Sequence, residues 1–207
     1  MKVVAGRVFA IVLFLIAAPV VRAQDPRLAA RLDKPTFKAV NAIVDSARLA
    51  RLPTAPLVDK ALEGAAKGSD GPNIVAAVHQ LSIRMGSARR QLGPGSSADE
   101  IKAAVSALDA GVSVHDLALV RAAAGKRSVT MPLTVLADLI GRQVPVATAT
   151  NLVIQLTRSG VKDAEFALFQ RNVRADVDRG ADPTVAATTR ARGLVLRTAG
   201  TGGKPLH

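Results

Sequence analysis

The chain of 207 residues contains no cysteine, no tryptophan and no tyrosine, and it has only five phenylalanines and three histidines. Without cysteine there is no disulfide, no thiol nucleophile and no lipid-modified N-terminal cysteine. Binding of single-stranded nucleic acid normally combines a basic groove with several stacked aromatic rings. We therefore expect no sequence-specific binding of nucleic acid and no binding of sugars by ring stacking.

Long hydrophobic runs are also missing after residue 21. Residues 1–23 have the parts of a secretory signal peptide: basic Lys2 and Arg7, an apolar run over Val8–Ala18, and a cleavage site that ends at Ala23. The alternative is a membrane anchor, but the uncharged stretch of 14 residues is shorter than the roughly 20 that span a bilayer. We expect cleavage after Ala23 and a periplasmic or secreted protein of a bacterial cell.

Positive charge exceeds negative charge, with a formal net charge of +12. Loss of residues 1–23 removes three basic residues and no acidic one, so the exported chain carries +9. Such a surface attracts anions such as lipopolysaccharide, anionic lipid or an acidic polymer. The alternative is that arginine and alanine, both abundant here, reflect a GC-rich genome and carry no binding role.

The rest of the chain is predicted to be all-helical, because apolar residues recur at helical spacing and strand signals are nearly absent. We expect an α-solenoid-like, irregular helical repeat or a multi-helix bundle of about eight to nine short antiparallel helices. Residues 24–34 are expected to be a flexible leader and residues 194–207 a disordered tail. The helical domain, 35–193, divides into predicted helices at 35–50, 54–67, 71–92, 97–110, 113–124, 130–142, 146–158, 162–179 and 183–193.

The junctions between these helices repeat in sequence. The segment from Gly111 to Leu119 resembles the segment from Gly160 to Leu168, and both begin with a glycine that suits a left-handed helix end. Weaker copies start at Gly68 and Gly180. The segments 51–53 and 142–145 match each other as an apparent second kind of junction. For helix starts, we expect caps from Asp33, Thr54 and Ser113.

The predicted helix over 71–92 has the clearest apolar seam, with residues spaced alternately by four and three. This seam favours a core-facing helix, with an intermolecular coiled coil as the alternative. The glycine-rich segment 93–97 that follows is either a boundary between two subdomains or a loop. The seam residues are Ile74, Val78, Leu81, Met85, Ala88 and Leu92.

Recognisable catalytic, metal-binding and cofactor-binding patterns are missing from the sequence. His79, His115 and His207 have no ligand partner at helical spacing. Of the three glutamates, Glu63 is the one to consider as a catalytic acid, but Lys60 and Lys67 at helical spacing favour a surface ion pair. We therefore predict no catalytic residue, no metal and no cofactor.

Two groups of basic residues are the candidate contacts for an anion or a partner protein, although they can equally be a solvated surface. The first group lies on the seam helix and the second on the helix that carries Phe166 and Phe169; together they are Arg84, Arg89, Arg90, Lys162, Arg171 and Arg174.

Three functions follow from this pattern. The leading hypothesis is a non-enzymatic helical-repeat module that binds a protein or peptide in the bacterial envelope. The second is a basic protein that binds an anionic envelope component, and the third is an envelope enzyme of unrecognised type.

Overall fold

The computed structural model describes the backbone of residues 25–201 and the side chains of residues 25–198. These residues form ten helices and no strand, which confirms the all-helical prediction. The predicted signal peptide lies outside the described residues, and so does the end of the chain from residue 202. The helices are α1 Pro26–Arg31, α2 Lys34–Leu49, α3 Ala55–Ala66, α4 Gly71–Leu92, α5 Ala98–Asp109, α6 Val114–Ala124, α7 Thr130–Gly141, α8 Val146–Arg158, α9 Asp163–Asp178 and α10 Pro183–Thr201.

From α4 onward the helices pack in two rows. One row contains α4, α6, α8 and α10, and the other contains α5, α7 and α9, with each helix in contact with the next one in its row. The rows are joined where α4 meets α5, α7 meets α8, and α9 meets α10. Contact of each helix with its near neighbours along the chain is the packing pattern of a helical-repeat array.

The structure of the N-terminal part of the described chain corrects the prediction of a flexible leader over residues 24–34. Residues 26–31 form α1, which packs on α2 and α3, while α2 and α3 pack on α4. Asp25 caps α1 by accepting the N–H of Arg27 at 2.9 Å, and Leu28 is completely buried. A six-residue helix is too short to be stable alone, so burial of Leu28 is what holds α1 in place.

The two predicted kinds of helix junction prove to be the same. Gly111 and Gly160 have φ of +99° and +77°, and Arg51 and Gln143 adopt the same left-handed region with φ of +55° and +70°. In each case the next N–H donates to the carbonyl five residues back, at 2.8–3.2 Å, as in a Schellman motif. The residues that donate are apolar and buried: Leu52, Val112, Val144 and Val161.

Of the three predicted helix caps, two form and one does not. Asp33 accepts the N–H of Thr36 at 2.9 Å, and Ser113 accepts the N–H of Asp116 at 3.0 Å, as expected. Thr54 precedes α3 but makes no capping hydrogen bond with its side chain, so that prediction is wrong. Its backbone φ and ψ of −89° and −26° are already helical, which differs from the extended conformation of a capping residue.

The seam helix α4 is a core helix of this chain. Its contacts are with α2, α3, α5 and α6, and five of its six seam residues are buried. Because α4 contacts helices on both sides of residues 93–97, this segment is a loop within one packed body. The buried residues of the described chain likewise form one hydrophobic cluster from Leu28 to Leu194.

The structure of residues 194–201 corrects the prediction of a disordered tail that begins at residue 194. α10 continues to Thr201, and Leu194 is only 3% exposed. Residues 194–201 are therefore helical and not disordered.

Candidate functional site

The last two helices, α9 and α10, form a hairpin with a well-fixed closed end. Gly180 has φ of +94°, which lets the chain turn sharply after α9. Asp182 accepts the N–H of Val185 at 2.9 Å and so begins α10. Across the hairpin, the Asp176 carboxylate accepts hydrogen bonds from Nε and Nη2 of Arg190 at 2.6 and 2.8 Å. Arg190 thereby lowers the pKa of Asp176.

A groove of about 280 Å³, lined only by α9 and α10, runs between these two helices. Phe169 and Leu194 form its floor, and each is 3% exposed. Gly193 lies beside them without a side chain, and Leu168, which is 49% exposed, forms an apolar wall. The groove is therefore apolar at its centre and open to solvent.

The lining residues of the two helices follow the same spacing. On α9 they are residues 165, 168, 169 and 172, and on α10 they include residues 190, 193, 194 and 197. Both sets fall at i, i+3, i+4 and i+7, which is one continuous face of an α-helix. Two antiparallel helices thus present matching faces to a common trough.

Polar residues lie at the two ends of the groove. Because the hairpin is antiparallel, Glu165 and Arg197 line one end, while Asn172 and Arg190 line the other. The Glu165 carboxylate accepts the backbone N–H of Lys162 at 2.9 Å. Both charged residues that α10 contributes to the groove, Arg190 and Arg197, are arginines.

Gly193 gives the groove its depth. A Cβ placed on this residue would meet only the guanidinium of Arg197, at 3.8 Å, so the position has room for a side chain. Glycine in a helix interior costs about 1 kcal/mol relative to alanine. Glycine at position 193 is therefore a departure from the most stable helix sequence.

Sequence reasoning missed the centre of this groove. Leu194 and the exposed Leu196 fall in the segment expected to be disordered, and Leu168 was noted only as part of a repeated junction. The available signal was the apolar series Ala187, Ala191 and Leu194, which continues the helical spacing past residue 193.

The first group of predicted contact residues, on α4, is occupied within the molecule. Arg84 pairs with Asp109 at 3.2 Å. Arg89 donates to the carbonyls of Arg51 and Pro94 at 2.9 and 2.8 Å, and it thereby ties the turn after α2 to the end of α4. Arg90 donates to Ser87 at 2.8 Å. A shallow groove lies beside Arg89 and Arg90.

The second predicted group, on α9, lies near the hairpin groove without lining it. Lys162, Arg171 and Arg174 are exposed, and Arg174 is 3.7 Å from Asp178. Helical spacing places Arg171 one turn from Leu168, at the outer edge of the groove. Since α4 contacts α2, α3, α5 and α6, and α9 contacts α7 and α10, the fold does not bring the two groups together.

Glu63 is a surface ion-pair residue, as the sequence favoured. It pairs with Lys67 and with Lys60, the latter at 3.0 Å, and hydrogen bonds from Lys67 and then Lys60 lower its pKa. A general acid needs the opposite shift. No group of three or more potential metal ligands occurs among residues 25–198.

Glu100 is the one buried carboxylate in the described chain, and it is structural. Its carboxylate accepts the N–H groups of Ser97 and Val129 at 2.9 and 3.0 Å and pairs with Arg121 at 3.1 Å. Burial raises the pKa of Glu100, but these three donors outweigh burial and lower it below its ordinary value. Sequence spacing could show the Ser97–Glu100 capping box, but not the pairing with Arg121.

No helix in the described part of the chain is both long and apolar enough to cross a membrane. Comparison with protein-family models, with curated proteins and with solved structures returns no match. The candidate site therefore depends on the geometry of the α9–α10 groove alone.

Proposed function

We propose that this protein is an exported, non-enzymatic helical-repeat module that binds a protein or peptide partner in the bacterial envelope. The observation that carries the proposal is the open apolar groove between α9 and α10 at the end of the helix array. A contiguous apolar surface beside a groove is a mark of an interaction site. Leu168, which is 49% exposed, forms one wall of this groove, and α10 also carries Leu196, which is 68% exposed.

The surroundings of the groove support binding more than chemistry. Its centre is formed by Phe169, Gly193 and Leu194, none of which has a group that can transfer a proton or attack a substrate. Its polar groups lie at the ends, where they can orient a bound segment. This is the arrangement of a recognition groove, with apolar contact at the centre and a polar rim.

The test is site-specific photo-crosslinking in cells that express the full chain. A photoreactive amino acid at Leu168, in the groove wall, is expected to give a discrete adduct with a second protein. The same amino acid at Lys102, an exposed position on α5, is the control and is expected to give none. Gly193→Leu, which places a large side chain in the groove, should reduce the yield of the Leu168 adduct by about tenfold.

Adducts of equal yield at Leu168 and Lys102 would contradict the proposal, because they would show non-specific contact. Hydrolysis of an envelope polymer that is lost in Glu63→Gln would replace the proposal with the enzyme hypothesis. Retention of the chain on lipopolysaccharide or anionic vesicles, unaffected by Gly193→Leu and lost with salt, would favour the anion-binding hypothesis.

A further inference from the structure

We infer that a cavity at the N-terminal end of the helix array binds the amino-terminal residue of a peptide. The groups recognised are the α-ammonium group, an aliphatic side chain and the first peptide carbonyl. The cavity has a volume of about 360 Å³ and lies between α1, α2 and α3. It shares no lining residue with the α9–α10 groove, so the inference goes beyond the proposed function and does not depend on it.

Asn41, on α2, is the residue that points to a ligand. It lines the cavity and is only 9% exposed, and its amide nitrogen makes no hydrogen bond with the described residues. A buried donor without a partner lowers stability, so most buried polar groups have one. Because χ2 of asparagine has a broad, roughly two-fold profile, either end of the amide can turn towards the cavity. A ligand with an accessible oxygen supplies the acceptor that this nitrogen lacks.

The charge of the cavity favours an ammonium group. Asp25 and Asp45 line it, and they pair with Arg27 at 2.8 Å and with Arg48 at 2.5 Å. Both arginines are thus occupied, and neither is counted as a ligand contact. In both pairs the carboxylate is the more buried partner, with 25% and 29% of its side chain exposed against 58% and 46% for the arginine. An anionic ligand would meet two carboxylates, so the oxygen offered to Asn41 belongs to a neutral carbonyl.

Asp45 has the oxygen that the ammonium group can use. One of its carboxylate oxygens accepts the bond from Arg48, while the other accepts none from residues 25–198. Asn41 and Asp45 are spaced i, i+4, so they lie one turn apart on the same face of α2. The ammonium nitrogen and the carbonyl oxygen of a single amino-acid residue are close enough together to reach both side chains.

Aliphatic side chains form the rest of the cavity wall. Leu28 of α1, Val44 of α2 and Val58 of α3 line it, and none is more than 5% exposed. An aliphatic side chain of the ligand gains free energy by leaving water for this wall. Water alone can also occupy a polar cavity, but it gains nothing from the aliphatic wall. The combination of one free carboxylate oxygen, one unpaired amide and three aliphatic side chains fits the start of a peptide better.

Isothermal titration calorimetry with the purified full chain and four compounds tests this inference. Leucyl-glycyl-glycine has all three groups. Its N-acetyl derivative lacks the ammonium group, triglycine lacks the aliphatic side chain, and 3-methylbutylamine lacks the peptide carbonyl. Leucyl-glycyl-glycine is expected to bind at least about tenfold more tightly than each of the other three.

A pair of variants that each remove a buried polar group locates the binding site. Asn41→Leu replaces the amide with an apolar group of similar size, and it should weaken binding of leucyl-glycyl-glycine by about tenfold or more. Its melting temperature should not fall, because an unpaired buried donor is lost. Thr150→Val on α8 is the matched control, since the Thr150 hydroxyl is also buried and unpaired among the described residues but does not line the cavity. Binding by this variant should be unchanged.

Asp45→Asn tests the ammonium contact separately. The variant keeps an oxygen for Arg48 but removes the negative charge. It should weaken leucyl-glycyl-glycine by about tenfold and leave the weaker binding of the N-acetyl derivative unchanged. Equal weakening of the two compounds would show that Asp45 acts through the shape of the cavity and would overturn the ammonium contact.

Other results overturn the inference as a whole. If leucyl-glycyl-glycine does not bind, the cavity holds only water. If all four compounds bind equally, or if Thr150→Val weakens binding as much as Asn41→Leu, the cavity does not recognise the start of a peptide. The Leu168 adduct in cells should be unaffected by Asn41→Leu, so the failure of either proposal is distinguished from the failure of the other.

Discussion

The two ends of the described helix array differ in how they meet solvent. At the N-terminal end, α1 packs on α2 and α3 and buries Leu28 completely, and these three helices carry one exposed large apolar side chain, Leu49. At the other end, α9 and α10 carry three of the six such residues in the described chain: Leu168, Val185 and Leu196. Terminal units of repeat proteins need a polar outer face to stay soluble. The C-terminal end, with three such residues, departs from this requirement further than the N-terminal end, with one.

This difference teaches that the apolar surface of α9 and α10 is not a general property of the fold. The same chain can close an array with a short helix and one leucine, as α1 does. A groove with Gly193 beside its floor fits the proposal that this end binds a partner, because binding surfaces keep residues that the stability of the free protein does not need.

The largest effect on the free energy of unfolding should come from a substitution at the N-terminal end of the helix array. Leu28→Ala is expected to lower the free energy of unfolding by about 3 kcal/mol, because it leaves a cavity under α1. Leu168→Ala at the open end should change it by less than about 0.5 kcal/mol, because that side chain is half exposed. Urea denaturation followed by circular dichroism measures both. Equal losses in the two variants would show that the ends are not different.

The centre of the array gives the next largest effect, which depends on pH. The folded-state pKa of Glu100 is lowered, so its ionised form contributes stability above the pKa of an unfolded glutamate, about 4.3. That contribution is lost as the pH falls through the lower folded-state pKa. Glu100→Gln should cost about 2 kcal/mol at pH 7 and much less at pH 3.

Glu63→Gln is the control for that measurement, because Glu63 is an exposed ion-pair residue. Its effect on unfolding at pH 7 should be clearly smaller than that of Glu100→Gln. If Glu100→Gln costs as much at pH 3 as at pH 7, the loss comes from packing and not from the ionised carboxylate.

The smallest effect on the free energy of unfolding should come from Gly193, at the C-terminal end of the helix array. Gly193→Ala should raise the free energy of unfolding by about 0.5–1 kcal/mol, because alanine is the better helix former and the position has room for a methyl group. Gly180→Ala should do the reverse, because Gly180 has φ of +94°. No change in Gly193→Ala would contradict a helix that continues through residue 193.

Most of the fold was predictable from local patterns, and the site was not. Asp33, Gly111 and Gly160 mark helix ends through bonds that reach at most five residues along the chain, so a sequence can show them. α1 escaped prediction because six residues give too little periodicity, and its stability depends on burial of Leu28. The last part of α10 escaped because glycine and threonine are frequent in its sequence.

The sequence by itself determined where α2 to α9 begin and end, because caps and left-handed turns are local. It also favoured a core-facing α4, since the seam covers most of its length. Only the tertiary structure decided which residues meet across distance: Arg89 reaches the carbonyl of Arg51, and Glu100 pairs with Arg121. The α9–α10 groove belongs to this second class, because its floor exists only when the faces of two helices lie side by side.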